Sequence, residues 1–272
     1  MLTEPIIIES GRSVRRYWSD LWQYRELFYC LAWRDILVRY KQTVLGIAWS
    51  VLRPLATMVV FTLIFGRLAK MSSGQSPYAI MVFAGLLPWQ FFSNAFSDAS
   101  NSLLNSASLL TKVYFPRIIV PATSVLVSLI DFIISFLLLL FMMVFFSFTP
   151  DWKIIFVPFL LLWVFAFTLG CGLLISALTV KYRDFRHVVP FLIQFGLYIS
   201  PVGFSSAVIP ENWKLLYFTN PMAGIVDSFR YAILNEPIFW PGVGFSFAVS
   251  IVMLLVGFKY FRMVESSFAD QI

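Results

Sequence analysis

The stretch IIFVPFLLLWVFAFTLGCGLLISALTV, from Ile154 to Val180, decides the fold. It runs for 27 residues without Asp, Glu, Lys or Arg, and about 20 mostly apolar residues are enough for a helix to cross a bilayer. Working outward, residues 71–97, 188–210 and 237–258 are also free of charge, residues 44–66 hold only Arg53, and residues 118–148 hold only Asp131. These are six candidate spans. The one at 118–148 would be roughly 46 Å long as a helix, so it must tilt or project from the membrane. The one at 188–210 is interrupted by Ser200-Pro201 and Gly203, and a half-span followed by re-entrant structure is expected there.

The rest of the composition agrees. Hydrophobic residues make up 60% of the 272-residue chain and charged ones 12%, where a soluble domain carries roughly a quarter. A soluble globule could not cover that apolar surface with so few charges. A disordered chain is excluded by the 18% aromatic content, since disorder goes with few aromatics. The class left is an all-α membrane protein.

Counting Lys and Arg on alternate sides of the six stretches gives fourteen on the side of the two termini and five on the other, namely Arg67, Lys70, Lys153, Lys214 and Arg230. The positive-inside rule then predicts both termini in the cytoplasm. The formal charge of +6 is spread over helix ends rather than gathered in a stripe, so it reads as membrane anchoring and not as nucleic-acid binding. The first residues lack the basic-then-apolar layout of a cleavable leader, and none is expected. Cys30 and Cys171 read as unpaired thiols, with no metal-ligand spacing.

Two further segments stand out. Residues 17–41 place Trp18, Leu21, Trp22, Phe28, Tyr29, Ala32, Trp33 and Ile36 three or four apart with charges between them, which predicts an amphipathic helix in the headgroup plane. Residues 200–241 hold five of the 14 prolines. Pro210 and Pro221 sit where short helices start, the second running to about Asn235.

Catalytic chemistry is missing from the pattern. There is no Gly-x-x-x-x-Gly-Lys-Ser/Thr phosphate loop, so no nucleotide is expected in this chain. The eight aspartates never fall two apart, and His187 is the one histidine, which leaves metal clusters and histidine relays without partners. The chain reads as a non-enzyme with no cofactor of its own. Arg53 and Asp131 are the ionisable groups inside the spans, where charge faces an interior or a wet path. Arg53 either snorkels to the headgroups or meets an anionic headgroup, and Asp131 reads as paired to a neighbouring helix.

Five sequence landmarks, in order, resemble the permease subunits of ABC-2 type polysaccharide exporters. They are Tyr40-Lys-Gln-Thr-Val-Leu-Gly-Ile-Ala-Trp49-Ser-Val-Leu-Arg53-Pro54-Leu55, Lys112-Val-Tyr-Phe-Pro116-Arg117-Ile-Ile-Val-Pro121, Arg183-Asp184-Phe-Arg-His-Val-Val-Pro190, Ser200-Pro201-Val202 and Asn220-Pro221-Met222. The chain is most similar to O-antigen exporters, with teichoic acid and capsule exporters as relatives. The resemblance implies a homodimer in the bacterial inner membrane, paired with two copies of a separate ATP-binding subunit that holds ATP and Mg, and an undecaprenyl-linked glycan as cargo. It implies docking of that subunit through residues 101–113, with Asn105, Leu109, Leu110 and Lys112 as contacts. Residues 201–235 would form periplasmic gate helices, with Pro201, Phe204, Pro210, Pro221 and Phe229 as gate residues. Trp49, Arg53, Trp89, Phe92 and Tyr198 would line the path, between protomers and partly along the first and fifth spans. Arg53 departs from the usual family pattern before Pro54, and the expectation is that it receives the pyrophosphate of the cargo. Alternatives are an ABC-2 exporter of a small lipid or drug, and a lipid-linked-sugar flippase, which would need more intramembrane carboxylates than Asp131. A membrane-embedded transferase lacks a catalytic set.

Overall fold

The computed structural model describes residues 21–41, 46–68 and 76–268, the side chains of Gly46 and Ile47 aside. The described residues form helices joined by turns. Helix α1 (Arg25–Lys41) precedes α2 (Gly46–Phe61), which continues as a π-helix over Thr62–Leu68. Next come α3 (Tyr78–Asn105), the single turn α4 (Ala107–Leu110), α5 (Ile119–Phe145) and α6 (Val157–Lys181), the last entered through a 3₁₀ turn at Trp152–Phe156. Then follow α7 (Phe185–Ile199), α8 (Glu211–Tyr217), α9 (Pro221–Leu234) and α10 (Trp240–Val264), closed by a 3₁₀ turn at Glu265–Ser267.

Among the described residues five helices are long and apolar enough to cross a membrane: Ala48–Leu68, Tyr78–Asn105, Ile119–Phe145, Trp152–Lys181 and Trp240–Ser267. The fifth stretch in chain order, 188–210, is not one helix. Its helix covers Phe185–Ile199, 15 residues, or roughly 22 Å by helical rise. It ends because Pro201 pushes the preceding residue out of the α region, and Ser200 is extended, with ψ 148°. Residues 17–20 of the expected amphipathic helix, and 44–45 and 71–75 of the first two expected spans, lie outside the described residues.

Helix–helix packing inside a bilayer relies on close fit and interhelical hydrogen bonds rather than on expulsion of water. The main core gathers α3, α5, α6 and α9, with α9 innermost: every residue from Pro221 to Arg230 is buried. Helix α10 joins through small residues, where the Trp163 indole N–H donates to Ser250 Oγ at 2.9 Å and the Ser246 hydroxyl donates to the Phe218 carbonyl at 2.7 Å. A second core brings together Leu31 of α1, Leu110 of α4, the start of α5, Val180 at the end of α6, and Phe261 and Phe268 of the C-terminal end. The first and last described segments therefore meet at one end of the bundle. Helix α2 and the π-helix after it stay peripheral, leaving Leu52, Val59, Val60, Leu63 and Ile64 exposed.

Candidate substrate cavity

A cavity of about 720 Å³ opens among α2, α3, α5 and α7. Helix α2 contributes Trp49, Arg53, Pro54 and Thr57 to it. Pro54 lies inside the helix and cannot donate a backbone bond to the Ser50 carbonyl one turn back. The Thr57 hydroxyl donates to the Arg53 carbonyl at 2.9 Å, which helps hold the turn together. The Arg53 side chain is exposed and makes no ion pair among the described residues. Trp89 forms part of the inner wall. It is buried because α7 has a glycine under it: a Cβ on Gly196 would stand 2.5 Å from the indole ring.

Of the five expected path residues, Trp49, Arg53 and Trp89 border this cavity. Phe92 turns away and stacks between Phe96 and Phe167, at ring distances of 5.3 and 5.2 Å. Tyr198 is exposed on the outer side of α7, outside the cavity wall. Polar wall residues that the sequence reading passed over are Gln90, Asn94, Ser97 and Asp98 of α3. The first three sit within a stretch read for its lack of charge and its aromatic residues, and their four- and three-residue spacing is the available signal.

One end of the cavity is closed by an ionic cluster. Arg39 of α1 donates to Asp131 at 2.8 Å and to Asp98. Asp131 also accepts from the Tyr40 hydroxyl and from the Ser50 hydroxyl, both at 2.7 Å. Burial pulls the Arg39 guanidinium down, and the two carboxylates more than offset it, so its proton is held more tightly than usual. Burial together with the bond to Asp131 pushes the Tyr40 hydroxyl up. The membrane carboxylate at 131 is thus a structural anchor that ties α1 and α2 to α5.

The broken segment after α7 is packed rather than loose. Pro201, Val202 and Gly203 are buried, Phe204 is half-buried and Pro210 is exposed. Pro221 begins α9, where the Asn220 side chain accepts from the Met222 N–H. Phe229 sits wholly inside, edge-on to Phe132 at 6.0 Å. Arg230, counted above as an outer-loop charge, is instead 1% exposed. It donates to the carbonyls of Val202 and Phe204, both at 2.7 Å, and of Met81 at 3.3 Å. The carbonyls at 202 and 204 are free because the backbone at 201–204 is not helical, and a buried guanidinium with its five donors satisfies them. Asp227, one turn earlier, accepts from the Ser206 hydroxyl. Burial pushes its carboxyl up to about 6, against the pull of Ser206 and Arg230.

At the opposite end, α3 stops at Asn105 and α4 follows. Asn105 and Lys112 are exposed and Leu109 is half-buried. Leu110 is 5% exposed and belongs to the second core, so it is not a surface residue. The exposed apolar side chains on this turn are Val113 and Tyr114. The Arg117 N–H donates to Glu265 Oε1 at 2.7 Å, and its guanidinium donates to the Glu265 carbonyl.

Long apolar helices around a polar, aromatic-walled cavity define a multi-pass membrane protein built to pass or hold something. The chain belongs to the ABC-2 type transporter family, which matches residues 26–234. It is 30% identical to the O-antigen export system permease protein RfbA of Myxococcus xanthus, over 93% of this chain and 98% of that one. It is 26% identical to a protein of the same name from Klebsiella pneumoniae, over 87% and 91% of the two chains. It is 23% identical to the polysialic acid transport protein KpsM of Escherichia coli, over 86% and 92%.

Proposed function

We propose that this chain is the membrane subunit of an ATP-driven exporter that moves a lipid-linked polysaccharide of O-antigen type out through the bacterial inner membrane. The observation that carries this reading is likeness along nearly the whole length to permeases named for that task. The chain has no phosphate loop of its own, so ATP and Mg belong to a separate ATP-binding subunit, two copies of which serve a homodimer of this chain. Docking uses the turn after α3, through Asn105, Leu109, Lys112, Val113 and Tyr114.

Both termini are cytoplasmic in this reading. With Arg230 withdrawn from the count, fourteen basic residues oppose four. The meeting of Leu31 and Phe268 in one core supports termini on the same side. Five crossings would put them on opposite sides, so the stretch 188–210 supplies a sixth, through α7 and the non-helical backbone after it. Residues 201–235 then fold back as the periplasmic gate, with α9 and Arg230 as its fixed base. Arg53, which makes no ion pair among the described residues, receives the pyrophosphate of an undecaprenyl-linked glycan, and Trp49 presents a flat apolar face to the sugars behind it, with the buried Trp89 backing the wall.

The test is co-purification with the ATP-binding subunit, followed by ATP turnover in lipid with and without lipid-linked glycan. A two-plus-two complex whose turnover responds to the glycan supports the reading. A chain that binds no such subunit, or a complex that responds only to small lipids or drugs, overturns it. In that complex Arg53→Gln lowers the response to the glycan.

A further inference from the structure

Helix α3 commits four of its polar side chains to its own backbone. The hydroxyls of Ser93, Ser100 and Ser102 donate to carbonyls three residues back, and the Asn101 amide to one four residues back. Gln90 and Asn94 do not. Their side-chain amides make no hydrogen bond among the described residues, and both border the cavity, one turn apart on the same face as the equally unbonded hydroxyl of Ser97. Asn94 is exposed and Gln90 and Ser97 are half-buried, so these groups are open to the cavity rather than sealed in the bundle. Two open amides on one face of a membrane helix therefore suit a ligand that both donates and accepts.

A sugar hydroxyl does both, as does an amide. A pyranose ring also has an apolar C–H face, which stacks on an aromatic ring. The cavity supplies one exposed indole, Trp49, and a cation, Arg53, that makes no ion pair among the described residues. Its volume of about 720 Å³ falls in the range of roughly 300–1,000 Å³ seen for small-ligand sites. Of the acidic residues beside it, Asp131 is engaged through both oxygens by Arg39, Tyr40 and Ser50, and Asp98 is engaged through one by Arg39.

We propose that the Gln90–Asn94–Ser97 face of α3 is a sugar-reading subsite within each protomer, which binds the ring next to the phosphate held by Arg53. The inference rests on the exporter reading, but that reading does not require it, since a polymer could pass on aromatic contacts alone. The subsite makes the protomer selective for the first sugar of its cargo. Selection lies in the donor–acceptor match of the two amides, and the phosphate contact is common to every cargo.

The experiment uses the full complex with its ATP-binding subunit in nanodiscs and two radiolabelled probes, undecaprenyl diphosphate with and without one N-acetylglucosamine. The wild-type complex should bind the sugar-bearing probe at least tenfold more tightly. Gln90→Ala with Asn94→Ala should bring the two affinities together, and Arg53→Gln should weaken both by a similar factor and keep their ratio. Asn94 is exposed, so Asn94→Ala alone carries the test if the double variant does not assemble, and it should lower the ratio at least threefold. A ratio that survives the amide substitutions overturns the subsite and leaves the exporter reading standing. Equal wild-type affinity for both probes also overturns the subsite, and failure to bind either one overturns both readings.

Discussion

Gly257 of α10 lies so close to Gly170 of α6 that a Cβ placed on it would stand 2.1 Å from the Gly170 carbonyl oxygen. The converse holds as well, since a Cβ on Gly170 would stand 2.5 Å from the Cα of Leu254. Backbone meets backbone here, so no side chain can move aside, and this is the close approach that small residues permit between membrane helices. Gly257→Leu should therefore separate α6 from α10 and cost at least the ~1–3 kcal/mol of an overpacked core. A Cβ placed on Gly244, on the same helix, would meet nothing within 4 Å; Gly244→Leu should leave stability within about 0.5 kcal/mol. Thermal unfolding of the two variants in the same detergent compares them directly. Equal melting temperatures would mean that the contact does not hold the helices.

Arg230 gives a second prediction. Its guanidinium serves three backbone carbonyls, and its charge faces Asp227 and Glu236. Arg230→Met removes the donors, strands the carbonyls and leaves the buried acids without their cation. Breaking one partner of such a group costs about 3–5 kcal/mol, so the variant should be poorly folded or lost from the membrane. Arg230→Met with Asp227→Asn should recover part of that loss, because one of the two uncompensated acids is gone, with Glu236 remaining. A double variant no better than the single would show that the carbonyl bonds, and not the charge, set the cost.

Asp227 adds a dependence on pH. It lies in α9, outside the five long spans, and its carboxyl titrates near 6 in the folded chain against about 4 in an unfolded one. Between those values the folded state holds a proton that the unfolded state has released. The contribution of this group to stability is therefore fully present below about pH 4, declines as the pH rises towards 6, and is gone above it. Glu236 shifts in the same direction through burial, with Arg230 opposing. Subtracting the stability curve of Asp227→Asn from that of the wild type isolates the one group. The difference should slope between pH 4 and 6 and be flat from 7 to 8, and a flat difference throughout would remove the assignment.

The spans were legible because absence of charge over twenty or more residues has few other causes in an ordered chain. The end of α7 was legible in part, since Ser200-Pro201 announces a break, although its early stop at 15 residues leaves a shorter helix than the charge-free stretch suggested. Arg230 was misplaced for a physical reason. A count of basic residues between spans treats each one as wetted, whereas non-helical backbone folded into the bundle frees carbonyls that draw a guanidinium inside. The partner of Asp131 was hidden by distance along the chain, 92 residues from Arg39, and Asp98 lay one residue past the stretch read as charge-free. Phe92 and Tyr198 were chosen as aromatic residues in spans, and only packing separates an aromatic that faces a cavity from one that faces a neighbour or lipid.

The second core joins the turn proposed for docking to the C-terminal end, so the two should be coupled. Phe268 is fully buried against Phe261, with ring centres 5.3 Å apart, and the Arg117 guanidinium lies 6.0 Å from its ring. Glu265 accepts from the Arg117 N–H at the start of α5. The turn at Ala107–Leu110 therefore leans on the C-terminal end of α10 through Leu110 and Phe115. A push on that turn reaches α10 only while this small core is intact. Phe268→Ala removes a buried aromatic, a loss of about 3–5 kcal/mol in a rigid core, yet it touches neither the cavity nor the exposed docking residues. The complex should still assemble with the ATP-binding subunit and hydrolyse ATP, while the response of turnover to the lipid-linked glycan falls at least fivefold. Hydrogen exchange should quicken in residues 107–118 and hold steady in α9. Normal glycan response together with faster exchange would show that this core supports the fold without carrying the signal.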